Sequence, residues 1–378
     1  MKSFIKKSVA LLTAVIITFA MFTCAFAADF PFGDGAYASV VTASDCQGAG
    51  TEAYDYLNSL LTLAKNDGLS APDALLIGGD YTKLLFDNAV PGISRIRHNY
   101  LELYPQADPA SVVCIQGNHD NPKEEFAETG FYDMGSFCVY VINEDDFPWK
   151  QNSRKSDPVE ALAEDIDACL GKMISSGDLR PVIFVTHVPL HHTNRNNCGD
   201  NMYAGYIFDV LNERAKELDI IFTFGHNHSG KYDDYIGGAV NFLAPGDKIR
   251  IPFKDKAGSD CYTEETLNFT YTNCGYVGYS GNTDSSTSTS ALTMDVIRFT
   301  ENSFRFVRYG KDGVITVKEV ERVNKNTTVK EPSYPALDDN CPCHGEGSFI
   351  ARLFFNIKLF FCRIFGIESY CVCGKAHF

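Results

Sequence analysis

The chain has 378 residues and a formal net charge of −15, with 45% hydrophobic and 21% charged residues. That acidic balance argues against long nucleic acid as a partner, because phosphate-backbone binding needs clustered Lys and Arg. It leaves a small phosphorylated ligand open, since bound metal ions supply local positive charge whatever the overall balance.

Residues 1–27 read as a secretory leader. Lys2, Lys6 and Lys7 precede an apolar run, and Ala25-Phe26-Ala27 fits a small-x-small cleavage site, which predicts a secreted or cell-surface protein starting at Ala28. Removing the leader deletes three lysines and no acidic residue, so the net charge moves from −15 to −18. Of 13 cysteines, Cys24 lies in the leader; the even remainder permits disulfides without requiring any. Cys114 in an apolar strand and Cys169 in a helical pattern read as small buried hydrophobes, and Cys46 as a loop spacer.

From residue 37 to about 323 one continuous pattern runs through the chain. Apolar runs of strand length span Tyr37 to Ala43, Ala74 to Ile77, Ser111 to Ile115, Val182 to Val185 and Ile220 to Phe224. Helical periodicity lies between them, over Glu52 to Lys65, Ile93 to Leu103, Val159 to Ser175 and Tyr206 to Leu218. Strands alternating with helices predict an α/β fold with a largely parallel sheet, and such sheets gather function at the carboxyl ends of their strands. At those ends stand Ser44-Asp45-Cys46-Gln47, Gly78-Gly79-Asp80, Gly117-Asn118-His119-Asp120, Thr186-His187-Val188-Pro189 and Gly225-His226-Asn227-His228. Five polar fragments after five strands should meet on one rim.

Beyond His228 the chain becomes strand-rich, with expected strands at Asn241 to Leu243, Asn268 to Tyr271, Ala291 to Phe299 and Phe304 to Tyr309. Residues 324–340, with Pro332 and Pro335, read as a linker between a catalytic domain of residues 28–323 and a separate C-terminal module of residues 341–378. In that module Cys341, Cys343 and His344, with Cys371, Cys373 and His377, bracket a Phe-rich segment. Such blocks can form a structural zinc site or disulfides, and spacing does not choose between them. The Phe-rich segment contains Arg352, Lys358 and Arg363 and falls short of a membrane span. It reads as a buried mini-domain helix or as one that associates with a cell surface or membrane interface.

The order of the five fragments resembles the calcineurin-like metallophosphoesterase superfamily, whose pattern reads Asp-x-His, Gly-Asp, Gly-Asn-His-Asp/Glu, His and Gly-His-x-His. The resemblance implies two stacked mixed β-sheets flanked by helices in four layers, with the late strands supplying the second sheet. It also implies a phosphoric ester hydrolase with two divalent metal ions. Asp45, Gln47, Asp80 and His228 would hold the first ion, and Asp80, Asn118, His187 and His226 the second. Bridged by Asp80, the ions would sit about 3.5–4 Å apart and share an attacking hydroxide. His119 would serve the leaving group, with Asp120 orienting it.

Gln47 departs from the family, which usually has His there. An amide oxygen is a harder, weaker donor than imidazole, so Mn²⁺ is favoured at the first position over Zn²⁺ or Fe, with Mg²⁺ also compatible. Alternatively Gln47 is no ligand and the first position is weak. The Asp-x-Gln variant is similar to that of the manganese-dependent ADP-ribose and CDP-alcohol diphosphatase branch, which makes a nucleotide-type diphosphate a candidate beside phosphomonoesters and phosphodiesters. His191, His192 and Arg195 follow His187 closely enough to reach a bound phosphate, Arg195 by bidentate contact; they read equally as solvated loop residues. A catalytically weak metal-binding or cell-surface interaction protein on the same fold is the alternative function.

Overall fold

The computed structural model describes residues 35–47, 52–81, 90–120, 126–148, 157–192, 201–236, 239–254, 259–278 and 292–335, with residues 357, 369–370 and 376–377. The leader, Arg195, Cys341, Cys343, His344, Cys371 and Cys373 lie outside the described residues, and of His377 only the backbone is described.

In chain order the elements are β1 (Ala38–Ala43), α1 (Glu52–Asn66), β2 (Ala74–Ile77), α2 (Val90–Leu103), β3 (Val112–Cys114), β4 (Gly130–Asp133), β5 (Cys138–Ile142), α3 (Asp157–Ser175), β6 (Val182–Thr186), α4 (Ala204–Arg214) and β7 (Ile220–Phe224). There follow β8 (Tyr235–Ile236), β9 (Ala239–Val240), β10 (Phe242–Leu243), β11 (Lys248–Lys254), β12 (Asp260–Thr266), β13 (Thr270–Asn273), β14 (Met294–Phe299), β15 (Ser303–Gly310) and β16 (Gly313–Glu321). Two six-stranded mixed sheets result, ordered β16-β15-β14-β1-β2-β3 and β10-β13-β7-β6-β5-β4.

Strand alternation builds the layers. In β6, Val182 and Phe184 point towards α3 and α4, while Ile183 and Val185 point the other way. There they meet Val40, Leu76, Val113 and Ile297 of the first sheet, so one apolar layer joins the two sheets face to face. A second cluster packs Val41, Leu75 and Val112 under Leu57, Leu61 and Ile96 of α1 and α2. Both faces of each sheet are therefore covered, which is why the central strands read as continuous apolar runs. The order of layers is α/β/β/α.

The late strands do not form a second sheet of their own. Strands β14 to β16 extend the first sheet as an antiparallel run that begins with β14 beside β1, Val40 opposite Ile297, whereas β10 and β13 join the second sheet beside β7. Strands β4 and β5 were missed by the sequence reading and complete that second sheet. A parallel neighbour needs a long crossover and an antiparallel one only a turn, so a strand-rich tail can join whichever edge its loop reaches. Of residues 324–340, expected as linker, several described residues touch the body although most are exposed. Lys330 N–H donates to the Gly135 carbonyl at 3.0 Å, Ser333 N–H to that of Asp133 at 2.6 Å, and Tyr334 packs on the inter-sheet layer.

The six described cysteines are free thiols: Cys46, Cys114, Cys138 and Cys274 are buried, and Cys169 and Cys261 half-buried. Burial pushes Cys46 well above the ordinary thiol value, with Asp45 adding to the effect, which makes it an inert packing group. Among the described residues no helix is long and apolar enough to cross a membrane.

Candidate metal centre

Asp45, Asp80, His226 and His228 are the non-glycine residues with positive φ among those described, at 55°, 60°, 67° and 45°. Left-handed backbone costs about 1 kcal/mol or more at such residues and survives only where surrounding contacts impose it. Each follows a strand of the two central parallel sets, and the turn throws its side chain over the strand ends. The motif residues do converge.

Close backbone approach explains the glycines. A Cβ on Gly79 would lie 2.7 Å from the Gly117 Cα and main-chain nitrogen, so the loops after β2 and β3 touch only because both residues lack side chains. Asp120 clamps the same pair of loops. Its carboxylate accepts main-chain N–H groups from Gly117, Asp80 and Tyr81, each at 2.8 Å. This is a role beyond the orientation of His119 that the sequence suggested. Burial pushes Asp120 up to about 7, reinforced by the charge of Asp80 and opposed by the Gly117 and Tyr81 amides.

His187 Nδ1 lies 2.8 Å from the Gly78 carbonyl oxygen, which can only accept, so Nδ1 carries the proton and Nε2 presents its lone pair. Around Nε2 stand Asn118 Oδ1 at 2.9 Å, His226 Nδ1 at 3.2 Å and Asp80 Oδ2 at 3.3 Å; His226 Nδ1 is also 2.9 Å from Asn118 Oδ1. An extra proton could serve one pair of these atoms, whereas one cation serves all four. The donors fit a divalent metal ion.

Next to this set, Asp45, Asp80 and His228 bring ligand atoms within 4.8 Å of one another. His228 Nε2 is 3.2 Å from Asp45 Oδ1, a fully buried oxygen without a hydrogen-bond partner. The other Asp45 oxygen accepts the His226 N–H at 3.0 Å. The Gln47 amide nitrogen donates to Asp80 Oδ2, which places Gln47 beside this carboxylate. Asp80 Oδ2 therefore lies between the two sets, and Asp80 Oδ1 accepts the His119 N–H at 2.9 Å. The half-buried His119 sits at the edge of the centre.

The electrostatics suit cations. Burial opposes charge on His187, but Asp80 and then Asp45 outweigh it and push the imidazole up to about 10. Burial likewise opposes ionisation of Asp45 and Asp80, yet the neighbouring histidines hold both carboxyls below the ordinary range. A field that favours a proton in this way also suits a metal ion in its place.

A sequence profile described as calcineurin-like phosphoesterase matches residues 38–230, just over half of the chain, and that stretch contains all five motifs. The chain belongs to the calcineurin-like phosphoesterase family. This calcineurin-like phosphoesterase is accordingly a metal-dependent phosphoric ester hydrolase of a family that works with two metal ions, and it carries a candidate metal site at Asp45, Asp80 and His228. Among solved structures it is similar to a dimetal phosphatase from Danio rerio, at 12% identity over 76% of this chain and 99% of the other, with a TM-score of 0.45. It is also similar to a predicted phosphoesterase from Streptococcus pneumoniae, at 12% identity over 75% and 98% of the two chains, with a TM-score of 0.32. No curated protein matches it significantly.

Of the residues expected at a bound phosphate, His191 is interior: it is 1% exposed, its Nδ1 lies 2.8 Å from the Tyr271 hydroxyl, and its ring meets Phe224 edge-on. The reading of His191 as an open phosphate contact thus gives way to a packing role, because β13 brings Tyr271 alongside β7. His192 is half-buried and lies against Tyr262 with ring centroids 4.1 Å apart. One neighbour escaped the sequence reading altogether: Tyr276 stacks on the His228 ring at 5.1 Å and 10°. No local signal marks it, since it reaches His228 from 48 residues away.

Proposed function

We propose that this protein is an exported two-metal phosphoesterase acting on a small phosphorylated substrate: a phosphomonoester, a phosphodiester or a nucleotide-type diphosphate. The reading rests on the convergence of Asn118 Oδ1, His226 Nδ1 and Asp80 Oδ2 on His187 Nε2, at 2.9, 3.2 and 3.3 Å, beside Asp45 and His228. In it, Asp45, Gln47, Asp80 and His228 hold one ion, Asp80, Asn118, His187 and His226 the other, and Asp80 is shared. Bound divalent ions supply charge against phosphate repulsion and acidity to water.

The chain's own groups do the rest. Asp45 and Asp80, both fully buried, offset part of the charge of the two ions and leave a net positive centre for an anionic phosphoryl group. His119 holds a proton at its imidazole for the departing oxygen, and Asp120 keeps the His119 loop on the Asp80 loop. With its amide turned so that the oxygen replaces the nitrogen now against Asp80, Gln47 gives the first position an oxygen donor and a preference for Mn²⁺. The leader-like residues 1–27 support export, and the net charge of −15 speaks against long nucleic acid.

The test is phosphate release from monoesters, diesters and nucleotide diphosphates after chelation and re-addition of Mn²⁺, Zn²⁺ or Mg²⁺. The expected result is metal-dependent turnover by wild type and none by Asp80→Asn, which should also bind less metal. Activity that survives chelation, or Asp80→Asn with full metal and unchanged turnover, would overturn the proposal.

A further inference from the structure

Among the described residues, strands β11 and β12 pair only with each other and form an arm outside both main sheets. A lone hairpin is marginal in water, and this one is fixed by burying Ile249 and Ile251 at 1% exposure, with Ile251 against α4. Alternation then turns Arg250, Tyr262 and Glu264 to the opposite, outward face, where Tyr262 is 37% exposed.

On that face the Arg250 guanidinium lies 5.3 Å from the Tyr262 ring centroid. It makes no hydrogen bond or ion pair among the described residues, not even with Glu264, its cross-strand partner. In a chain of net charge −15, this arginine is exposed and has no carboxylate partner among the described residues. The arm is also tied to the metal centre. His192 N–H donates to the Arg250 carbonyl at 2.9 Å and its ring lies over Tyr262, while five residues earlier the same segment supplies His187. Five extended residues span at most about 17 Å, so the arm is tethered at His192 within that length of chain from His187.

We infer that the β11–β12 arm is a specificity element in which Arg250, held on Tyr262 and registered by His192, binds a second anionic group on the part of the substrate that leaves. This rests on the phosphoesterase reading and narrows it to substrates such as nucleoside diphosphates, whose leaving group carries its own phosphate. A planar guanidinium suits a phosphate through paired hydrogen bonds, and aromatic contact keeps it in place at little entropic cost.

The experiment compares wild type, Arg250→Ala, Arg250→Lys and Tyr262→Ala on p-nitrophenyl phosphate, which has one anionic group, and on ADP, with Mn²⁺, Zn²⁺ or Mg²⁺. Arg250→Ala should raise KM for ADP roughly ten- to hundredfold more than KM for p-nitrophenyl phosphate, as expected for loss of a charge-assisted contact, with kcat on either substrate moving far less. Tyr262→Ala should shift the same ratio in the same direction, and Arg250→Lys should recover part of it. Equal shifts on both substrates, no shift, or wild type that cleaves p-nitrophenyl phosphate but not ADP would overturn the role of the arm while leaving the phosphoesterase reading intact. Failure of wild type on both substrates with every metal would remove the phosphoesterase reading, and this inference with it.

Discussion

Asp120→Asn is the sharpest probe of how the centre is held together. In wild type Oδ2 accepts the Asp80 and Gly117 N–H groups and Oδ1 accepts that of Tyr81, all at 2.8 Å and all buried. Asn keeps one carbonyl oxygen. Turned towards Asp80 and Gly117, it retains two neutral bonds, and its NH₂ then meets the Tyr81 N–H donor to donor. One charge-assisted bond is lost and one buried N–H is orphaned, a cost of about 1.5–3 kcal/mol. In a domain of this size that lowers Tm by roughly 2–5 °C. Asp120→Ala orphans all three amides, with an upper bound of about 9 kcal/mol that entering water would reduce. Because the Asp80 loop is one of the two that are clamped, metal content should fall with stability. Differential scanning fluorimetry and metal analysis of the same samples provide the assay. If Asp120→Asn melts like wild type and carries the same metal, Asp120 does not hold these amides in solution and the clamp is wrong.

Gln47→His should tighten Zn²⁺ and Fe binding at the first position, because imidazole is the stronger donor; unchanged affinities in metal titration would remove Gln47 from the ligand set. His119→Ala should keep its metals and lose about 10²–10⁴-fold in turnover, with a smaller loss on substrates that have good leaving groups; an equal loss on p-nitrophenyl and alkyl phosphates would contradict its role. Asp178 is held below its ordinary range chiefly by hydrogen bonds from the buried Arg180, and the same guanidinium outweighs the upward effect of burial on Asp133. Carboxyls lowered in the folded state contribute stability that is present above their unfolded values and disappears as pH falls through the folded ones. Urea unfolding of wild type should therefore weaken below about pH 4, and Arg180→Met should weaken less over that range; parallel pH profiles would assign the acid sensitivity elsewhere. Gly79→Ala should lower both stability and metal content, since its Cβ has no room against the Gly117 backbone; normal metal content would show that the two loops can part.

Strands whose two faces are both covered announce themselves. From Ala74 to Ile77 and from Ile220 to Phe224 every residue is buried, and the apolar runs matched the observed strands in both limits. The helices between them were legible because one face packs on a sheet and the other meets water. Strand β12 was hidden, since its Asp, Thr and Glu residues alternate between solvent and half-burial, and β16 was hidden by its many exposed positions. Edge and arm strands owe their form to a neighbour and not to their own composition. His191 shows the same limit at the site: its proximity to His187 in sequence suggested a phosphate contact, but Tyr271, from a distant strand, draws its ring inwards.

What the sequence determined by itself was chemistry and order: which ligand-type residues follow which buried strand, and hence the family and the rim. Those features are local, because a strand's burial and a turn's glycines are written in adjacent residues. Tertiary structure alone decided that Asp120 clamps two loops, that Tyr276 stacks on His228, and that Arg250 and Tyr262 lie beside the segment leading from His187. Each of these depends on contacts between residues about 40 or more apart in the chain, brought together by the burial of apolar sheet faces, whose strength scales with area and carries no record in any one motif of which distant loops will meet.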